Sequence, residues 1–400
     1  MKLAKKLLAV VMSALMFLMA FAPCTYAEEI DTLGADIDAA NAVLKFNEDG
    51  KFKIMIFADS QDDETLEETT AQLMREALDA QKPDLVVFLG DNTVADGYEN
   101  QAKAIKEIVT PCVERNVPFT LVFGNHDQEH KVEKEILLKE YQKYPGCLAY
   151  DAIPSLYGCG NHNLPILASK GLDIAFNLWF IDSGTTVAEV GGYDYVREDQ
   201  IKWYKDTAAI LKNINGGKVV PAISFQHIIV TEVYDAVGMM KSPIAIKDFT
   251  FDNQPYLPVP NFGTYEGFIF EPPCPSYVNG GQMDAWLETG DVMATFYGHD
   301  HVNDFTTNYE GVDITTVPTV GCNSYSNDIN RGVGLITLDE KDLSTYKYEA
   351  LRMYDFALAE GSKIPECEGA LSTFEYNFYK VVDSFLDTLH KIVSVFSFVK

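Results

Sequence analysis

The chain has 400 residues, of which 59 are Asp or Glu and 31 are Lys or Arg, so its formal net charge is -28. A content of 47% hydrophobic and 12% aromatic residues excludes a mainly disordered chain. The length suits one large α/β domain with extensions, or about two or three ordinary domains. A surface this acidic repels polyanions and argues against nucleic-acid binding through a basic patch. Any phosphate ligand would need a local source of positive charge.

The first 27 residues differ from the rest of the chain. Lysines at positions 2, 5 and 6 precede an apolar run at residues 7–22, and Thr25-Tyr26-Ala27 follows it. This pattern is typical of a secretory signal peptide over residues 1–27, cleaved after Ala27. A retained membrane anchor is the alternative, but the apolar run is shorter than the roughly 20 residues that cross a bilayer. We therefore expect a secreted or extracytoplasmic protein, with cell-surface association left open.

Cysteine usage permits disulfides in an exported chain. Cys24 lies in the signal segment, where the preceding Pro23 makes a lipoprotein signal a poor match. The six cysteines that follow are Cys112, Cys147, Cys159, Cys274, Cys322 and Cys367. Sequence does not determine their pairing. Cys147 and Cys159, which flank a loop rich in Gly, Pro and Tyr, are the first pair to test, and ordinary buried thiols are an equal alternative.

Apolar runs and helical patterns alternate along the first half of the chain. Strands are predicted at residues 52–58, 84–89 and 119–123, with helices at 67–80 and 102–115 between them. The apolar runs are nearly continuous, as in parallel strands that are covered on both faces. Further strands are predicted at 174–181, 219–225, 292–297, 312–317, 333–338 and 346–351, and a helix at 197–212. Residues 241–275, rich in Pro, Phe and Asp, predict a long loop insertion.

The C-terminal part divides into a predicted linker at residues 353–369 and a helix at 370–400. Apolar residues recur at helical spacing between Phe374 and Phe396, with charged and polar residues opposite them. The charges of this segment balance, whereas helices on membrane surfaces usually gain from a basic excess. Docking on its own domain or self-association is therefore favoured, and attachment to a membrane surface stays open.

Each of the first three predicted strands is followed by side chains that bind metals. Asp59 and Gln61 follow the first strand, Asp91 the second, and Asn125 the third, with His126 next to it. Open α/β sheets place their ligands at the carboxyl ends of parallel strands, so these side chains are expected to converge.

Three histidines after later strands extend this set. His227 follows the strand at 219–225, and His299 and His301 follow the strand at 292–297. Oxygen donors mixed with imidazoles favour Mn, Fe or Zn, whereas oxygen donors alone would favour Mg or Ca. Seven donors exceed the need of one ion, but two ions about 3.5 to 4 Å apart and bridged by one carboxylate would use them all. Two cations would also supply the local positive charge that a phosphate needs.

The ordered series of motifs resembles the calcineurin-like metallophosphoesterase superfamily. The motifs are Asp59-Ser60-Gln61, Gly90-Asp91-Asn92, Gly124-Asn125-His126-Asp127, His227 and Gly298-His299-Asp300-His301. Each alone has an ordinary explanation as a turn, a strand-end cap or a core histidine, but that does not account for their joint order over residues 50–352. Residues 161–166, 179–184 and 200–204 resemble a bacterial and fungal branch related to purple acid phosphatases. The resemblance implies a four-layer α/β/β/α sandwich as a catalytic domain over residues 28–352, followed by the C-terminal amphipathic helix.

The resemblance also implies roles for individual residues. The first ion would be bound by Asp59, Gln61, Asp91 and His301, and the second by Asp91, Asn125, His227 and His299. Asp91 would bridge the two ions, and His126 would be the catalytic histidine. The implied reaction is hydrolysis of a small-molecule phosphate ester by metal-activated hydroxide. His162 would contact substrate or, equally, cap a strand.

Two positions depart from the pattern of the superfamily. Gln61 stands where most members have His, and a neutral amide is a weaker ligand; some Mn-dependent phosphodiesterases and diphosphatases share it. Val94 stands where purple acid phosphatases have a metal-binding Tyr, so a purple Fe(III)-tyrosinate centre is not expected. A nucleotide phosphodiesterase or diphosphatase, and a non-catalytic surface protein on the same scaffold, remain as alternatives.

Overall fold

A computed structural model describes residues 43–129, 131–244, 248–327 and 329–364. The predicted signal peptide and the predicted helix at 370–400 lie outside these residues. Within them, no helix combines the length and the apolar character that crossing a membrane requires.

Secondary structure alternates along the described chain as the apolar pattern indicated. The helices, numbered α1 to α7 in chain order, are Glu68–Gln81, Tyr98–Glu114, Lys134–Tyr141, Glu198–Ile214, Val233–Ala236, Gln282–Thr289 and Met353–Ala357. The strands, numbered β1 to β16, are Lys51–Phe57, Leu85–Leu89, Phe119–Val122, His162–Leu167, Ile174–Phe180, Thr186–Val187, Gly192–Tyr193, Ala222–Phe225, Thr250–Phe251, Gln254–Pro255, Tyr265–Phe268, Val292–Tyr297, Asp304–Tyr309, Val312–Thr316, Gly332–Asp339 and Lys347–Arg352. A single 3₁₀ turn, His126–Gln128, follows β3.

Two large sheets are built from these strands. One has the order β16-β15-β1-β2-β3 and the other β11-β13-β14-β12-β8-β5-β4. The strands β1, β2 and β3 are parallel, as are β5, β8, β12 and β14, whereas the remaining strands of each sheet join antiparallel. The predicted parallel arrangement therefore holds for these two groups, and antiparallel strands flank the group on one side in the first sheet and on both sides in the second. Antiparallel edges follow from short connections, such as the turn at Glu310 and Gly311, whose φ angles of 50° and 100° suit a tight hairpin.

Three apolar clusters separate four layers. The central cluster lies between the sheets and joins Ile54 and Val87 of the first sheet to Phe225 of the second. A second cluster lies under α1, α2 and α3. A third lies under α4 and α6, around Trp179, Trp203 and Trp286. Because strands such as β2 are buried along their whole length, both of their faces are apolar, and the fold is the four-layer α/β/β/α sandwich.

Several elements differ from the sequence expectation. The segment 241–275 is not loop throughout, since it contains β9, β10 and the edge strand β11, which pairs with β13. Residues 353–357, predicted to begin a linker, form α7 instead, because Met353 and Tyr354 are buried. The helix α3 and the strands β4 and β13 were not predicted, since α3 is short, β4 begins with two polar residues and contains a proline, and β13 is mostly polar.

The cysteines of the described residues are free thiols. Cys147 and Cys159, the first pair to test, are not joined, and both are buried. They lie in the apolar cluster under α1 to α3, together with Cys112. Of the two alternatives, a disulfide between them and ordinary buried thiols, the structure shows buried thiols.

Replacing Phe225 with Ala tests the central layer. Phe225 is fully buried and lies between the rings of Phe180 and Phe296, with centroid distances of 5.2 and 5.7 Å. A cavity there should lower the free energy of unfolding by about 3 to 5 kcal/mol, measured by urea denaturation. Phe262→Ala, at a ring that is 57% exposed, should cost only a small part of that. Equal losses for the two variants would contradict this account of the core.

Candidate metal centre

The predicted ligands meet where strands of both sheets end. Asp59, Asp91 and Asn125 follow β1, β2 and β3, while His227 follows β8 and the last two histidines follow β12. His227 Nε2 lies 3.0 Å from Asp91 Oδ2 and 3.9 Å from Asp59 Oδ1. His301 Nε2 lies 3.5 Å from Asp59 Oδ1. Residues 240 positions apart, such as Asp59 and His299, are thus in direct contact.

Two groups of potential ligand atoms share one carboxylate. The His227 cluster is Asp91, His227 and His299, and the Asp59 cluster is Asp59, Asp91 and His301. Within each cluster the ligand atoms all lie within 4.8 Å of one another, and every member is buried. Asp91 belongs to both clusters, which supports two metal ions at this centre.

Gln61 and Asn125 add amide groups to this centre. The Gln61 side-chain amide donates a hydrogen bond of 3.0 Å to Asp91 Oδ2. Asn125 precedes His126, whose backbone amide donates to Asp91 Oδ1 at 2.8 Å. All seven residues predicted as ligands therefore come together, and their individual metal-binding roles stay predictions.

The donor atoms are arranged as metal ligands require. His227 Nδ1 lies 2.9 Å from the Leu89 carbonyl and His301 Nδ1 lies 2.9 Å from the Tyr325 carbonyl. Each Nδ1–H donates to its carbonyl, so each Nε2 faces the centre, where loss of its proton would free a lone pair for a metal ion. The buried atoms Asn125 Oδ1 and His299 Nε2 have no hydrogen-bond partner. Unpaired polar atoms cost free energy in an apolar interior, and this donor set fits divalent ions of the Mn, Fe or Zn type.

The backbone around the centre is strained. Asp59, Gln61, Asp91 and His299 have positive φ angles of 51°, 41°, 48° and 77°. Side-chain-bearing residues in this region cost on the order of 1 to 3 kcal/mol each, and such strain is concentrated at functional sites. The positive φ angles turn the chain sharply at the strand ends, so that each side chain points toward the others.

A glycine at the third strand end permits the close approach. A Cβ built on Gly124 would lie 2.1 Å from Asp91 Oδ1. No side chain fits there, so the Gly that precedes Asn125 is required by the position of the Asp91 carboxylate. Gly90 and Gly298 are similar, since their Cβ atoms would meet His227 and Asp59 at 2.5 and 2.7 Å.

Asp127 fixes the loops rather than facing the centre. Its carboxylate accepts hydrogen bonds from the backbone amides of Gly124, Asn92 and Thr93, at 2.7, 2.9 and 3.2 Å. Burial and the neighbouring Asp91 raise the pKa of Asp127 to about 6. It therefore joins the second and third strand-end loops.

Charges within the centre compensate one another. Burial opposes ionisation of Asp91, but the neighbouring imidazoles of His227 and His126 hold its pKa well below the usual range. Burial likewise lowers the pKa of His227, and the carboxylates of Asp91 and Asp59 outweigh burial and raise it to about 9. A fully buried carboxylate thus stays ionised only because cationic groups surround it.

His126 lies at the open side of the centre. Its ring Nε2 is 4.0 Å from Asp91 Oδ2, and its side chain is 42% exposed. Its Nδ1 lies 2.5 Å from Glu129 Oε2, one turn further along the chain. Glu129 was not predicted, although its spacing of three residues from His126 is a signal that the sequence does contain.

Of the two alternatives for His162, substrate contact and a structural role at a strand end, the structure favours the second. Its ring is fully buried and stacks on Phe180 at a centroid distance of 4.5 Å. Its Nδ1 and Nε2 each lie 2.7 Å from a partner, the Gly160 carbonyl and the Thr120 hydroxyl. Burial lowers the pKa of His162 to about 4, so it is a neutral core histidine at the start of β4.

Two tyrosines beside the centre were missed. The Tyr325 ring stacks on His301 at 4.3 Å, while its carbonyl orients that histidine. The Tyr193 ring meets His299 edge-on at 4.2 Å. Neither lies in a motif next to a ligand, so sequence order gave no sign of them.

Comparison with known proteins finds a matching family model, several relatives by sequence and several solved structures. A sequence model of the calcineurin-like phosphoesterase family matches residues 52–303. "Probable inactive purple acid phosphatase 14" of Arabidopsis thaliana is 27% identical over 317 residues, which cover 72% of this chain and 75% of that protein. "Phosphatase DCR2" of Saccharomyces cerevisiae is 26% identical over 293 residues, which cover 67% of this chain and 47% of that protein. Among solved structures, a dimetal phosphatase from Danio rerio covers 72% of this chain and 93% of its own, with 14% identity and a TM-score of 0.46.

Asp91→Asn tests the shared carboxylate. The change keeps the shape of the side chain but removes the negative charge common to both clusters, so metal occupancy should fall at both sites. Elemental analysis after dialysis against a defined Mn²⁺ concentration measures this. Asp96→Asn, at an exposed carboxylate that pairs with Lys131 in the next loop, should keep the normal metal content. A full complement in Asp91→Asn would show that no ion depends on it.

His162→Gln tests the buried neutral histidine. The unfolded chain takes up a proton near the ordinary pKa of 6.5 and the folded chain only near 4, so protonation favours unfolding between these values. Stability from this residue is therefore present above pH 6.5 and lost as pH falls toward 4, by at most about 1.4 kcal/mol per unit. In urea denaturation of metal-free protein, the difference in unfolding free energy between wild type and His162→Gln should change with this slope. A difference that is constant between pH 7 and 4.5 would contradict it.

Proposed function

This chain belongs to the calcineurin-like phosphoesterase family, and we propose that it is an exported enzyme that hydrolyses small-molecule phosphate esters with two metal ions. The observation that carries the proposal is the position of Asp91 in both ligand clusters. Two buried clusters joined by one carboxylate are the arrangement that a dinuclear centre needs.

The proposed division of ligands is the one that the family resemblance implies, and the two clusters of Asp and His residues support it. Asp59, Gln61, Asp91 and His301 would hold one ion, and Asp91, Asn125, His227 and His299 the other. When bound, the ions would act as Lewis acids on the phosphoryl group and lower the pKa of a water that attacks phosphorus. They would also form the local positive centre that lets a phosphate approach a protein with a net charge of -28.

His126 would supply the proton chemistry on the open side. Its exposed ring can reach a substrate that lies over the centre, and its backbone amide is fixed to Asp91. Glu129 accepts from Nδ1 and so directs Nε2 toward the substrate. His126 would then donate a hydrogen bond to the phosphoryl group or a proton to the leaving oxygen.

Gln61 favours a second candidate activity within the same chemistry. A neutral amide ligand in place of an imidazole makes the first ion more weakly held and favours Mn²⁺ over softer ions. This supports a nucleotide phosphodiesterase or diphosphatase as the alternative to a general phosphatase. Hydrolysis rates on p-nitrophenyl phosphate, its bis-ester and nucleotides would separate these substrate classes.

The alternative to an enzyme is a non-catalytic protein with the same fold. Its support is that the Arabidopsis relative carries "probable inactive" in its name. Against it stands the complete set of seven donors, with unpaired ligand atoms directed to the centre. We therefore favour hydrolysis.

Export rests on the sequence alone. The basic start, apolar run and Ala27 support removal of residues 1–27 and action outside the cytoplasmic membrane. The amphipathic pattern at 370–400 supports docking or self-association through that segment, with surface attachment as the alternative.

His126→Ala is the direct test of the proposed function. With Mn²⁺ and p-nitrophenyl phosphate or its bis-ester, kcat should fall by about 100-fold or more, because the general acid is lost. Metal content should stay normal, since the ligands are intact. Lys131→Ala, an exposed side chain on the same loop, should keep normal turnover. If wild-type protein with two metals bound hydrolyses neither ester nor any nucleotide, the non-catalytic alternative is correct.

A further inference from the structure

Tyr193 brings a phenol to the edge of the metal centre. Its ring meets His299 edge-on, with centroids 4.2 Å apart and planes at 89°. The His299 ring is in turn 5.1 Å from that of His227. Tyr193 is half-buried. The phenol ring therefore lies next to a predicted ligand of the second ion.

The backbone holds this phenol from two sides. Tyr193 ends the short hairpin of β6 and β7, and at its base the Asp194 amide donates to the Thr185 carbonyl at 2.7 Å. The Thr185 hydroxyl donates to the carbonyl of the predicted ligand Asn125 at 3.0 Å. On the other side, the Ser276 hydroxyl donates to the Tyr193 carbonyl at 2.8 Å. These hydrogen bonds fix the backbone at Tyr193 relative to the centre.

The base of the hairpin is itself anchored by a buried carboxylate. Asp194 is fully buried and accepts hydrogen bonds from Tyr157 and Arg197. A Cβ on Gly184 would lie 2.5 Å from the Cβ of Asp194, so the chain passes very close to this anchor. The buried Asp194 carboxylate therefore anchors the base of the β6–β7 hairpin, next to Tyr193.

The hydroxyl of Tyr193 has no protein partner in the part of the chain that the structure describes. Comparable tyrosines do have one: the hydroxyls of Tyr150 and Tyr234 donate to the Asn163 and Pro273 carbonyls at 3.0 and 2.9 Å. Partly buried phenols usually find an acceptor. Because the Tyr193 hydroxyl has no such acceptor, it is available to donate a hydrogen bond to a ligand.

The chemistry of the centre indicates which ligand this hydroxyl meets. In the described chain, the ionic partners of Asp59 and Asp91 are all histidines, namely His126, His227 and His301. The three non-bridging oxygens of a phosphoryl group have more lone pairs than two ions and one histidine can occupy. A phenol is a neutral donor at physiological pH, so it can bind a phosphoryl oxygen without adding negative charge to an acidic site.

We infer that the Tyr193 hydroxyl donates a hydrogen bond to a phosphoryl oxygen of the substrate, as a binding residue of the centre. The inference rests on the proposed function, because it needs a phosphate ester over the two ions. The ring contributes separately, by packing against His299.

Tyr193→Phe separates the hydroxyl from the ring. In Mn²⁺-loaded protein, kcat/KM for p-nitrophenyl phosphate should fall by about 10- to 100-fold, the range for one hydrogen bond to a charged group. The inhibition constant of inorganic phosphate should rise together with it, while the metal content stays normal. Tyr193→Leu, which also removes the ring, should in addition lower metal occupancy through His299.

Tyr195→Phe is the matched control. Tyr195 follows on the same segment, but its ring lies on the Arg197 guanidinium at 3.9 Å and belongs to no ligand contact. It should keep normal turnover and normal phosphate inhibition. If Tyr193→Phe equals wild type in both measurements, Tyr193 only packs on His299 and the inference is wrong.

Direct phosphate binding keeps this test separate from that of the proposed function. If wild-type protein hydrolyses no ester, calorimetric titration of the Mn²⁺-loaded protein with inorganic phosphate still tests whether Tyr193 contacts phosphate. Weaker binding by Tyr193→Phe supports the contact even though hydrolysis has failed. Equal binding by the two proteins, or no binding by wild type, overturns it.

Discussion

A fully buried carboxylate that belongs to two ligand clusters is the constraint on which this structure depends. Asp91 is inaccessible to solvent, and an isolated charge in such a place costs many kcal/mol. Its neighbours meet that cost through the His126 amide, the Gln61 side chain and the His227 imidazole. Two cations would complete the compensation. The strand ends of two separate sheets must therefore meet at one point.

The surrounding backbone is shaped by that meeting point. Four ligand-bearing positions have positive φ angles, and glycine precedes Asp91, Asn125 and His299 where a Cβ would collide with another ligand. Such local strain persists only when the rest of the fold determines it. Here the four-layer packing and the Asp127 carboxylate, which joins two of the loops, provide that support. The packing of the four layers thus holds the strand-end loops in a backbone conformation that would be unfavourable in isolation.

The acidic composition and the phosphate chemistry are compatible because they act at different places. The chain has 59 acidic and 31 basic residues, and this excess of negative charge disfavours polyanions. The centre concentrates imidazoles around two buried carboxylates, and bound metals would reverse its sign. His126 and Tyr193 would then offer donors to a phosphate without adding the lysines and arginines that a nucleic-acid surface has. A small phosphate ester fits this distribution of charge better than a large polyanion.

The sequence by itself determined the apolar strands and the kinds of ligand that follow them. Runs such as residues 85–89 are apolar on both faces, so their burial can be read locally. Asp59, Asp91, Asn125 and the histidines after β8 and β12 follow such runs, and their order carries the family resemblance. The sequence did not predict two strands at one side of the second sheet: β13 has only two aromatic residues among Asp, Thr and Asn, and β11 lies in a segment that looked like loop.

Only the tertiary structure decided which of these residues touch. Asp91 and His227 are far apart in the chain, and their 3.0 Å contact depends on how two sheets pack. His162 has the same local signature as a ligand, yet the sheet turns it into the core against Phe180. Tyr193 and Tyr325 have no such signature, yet their rings cover His299 and His301. The reason is physical: side-chain chemistry is a local property of the chain, whereas proximity is set by the packing of distant elements.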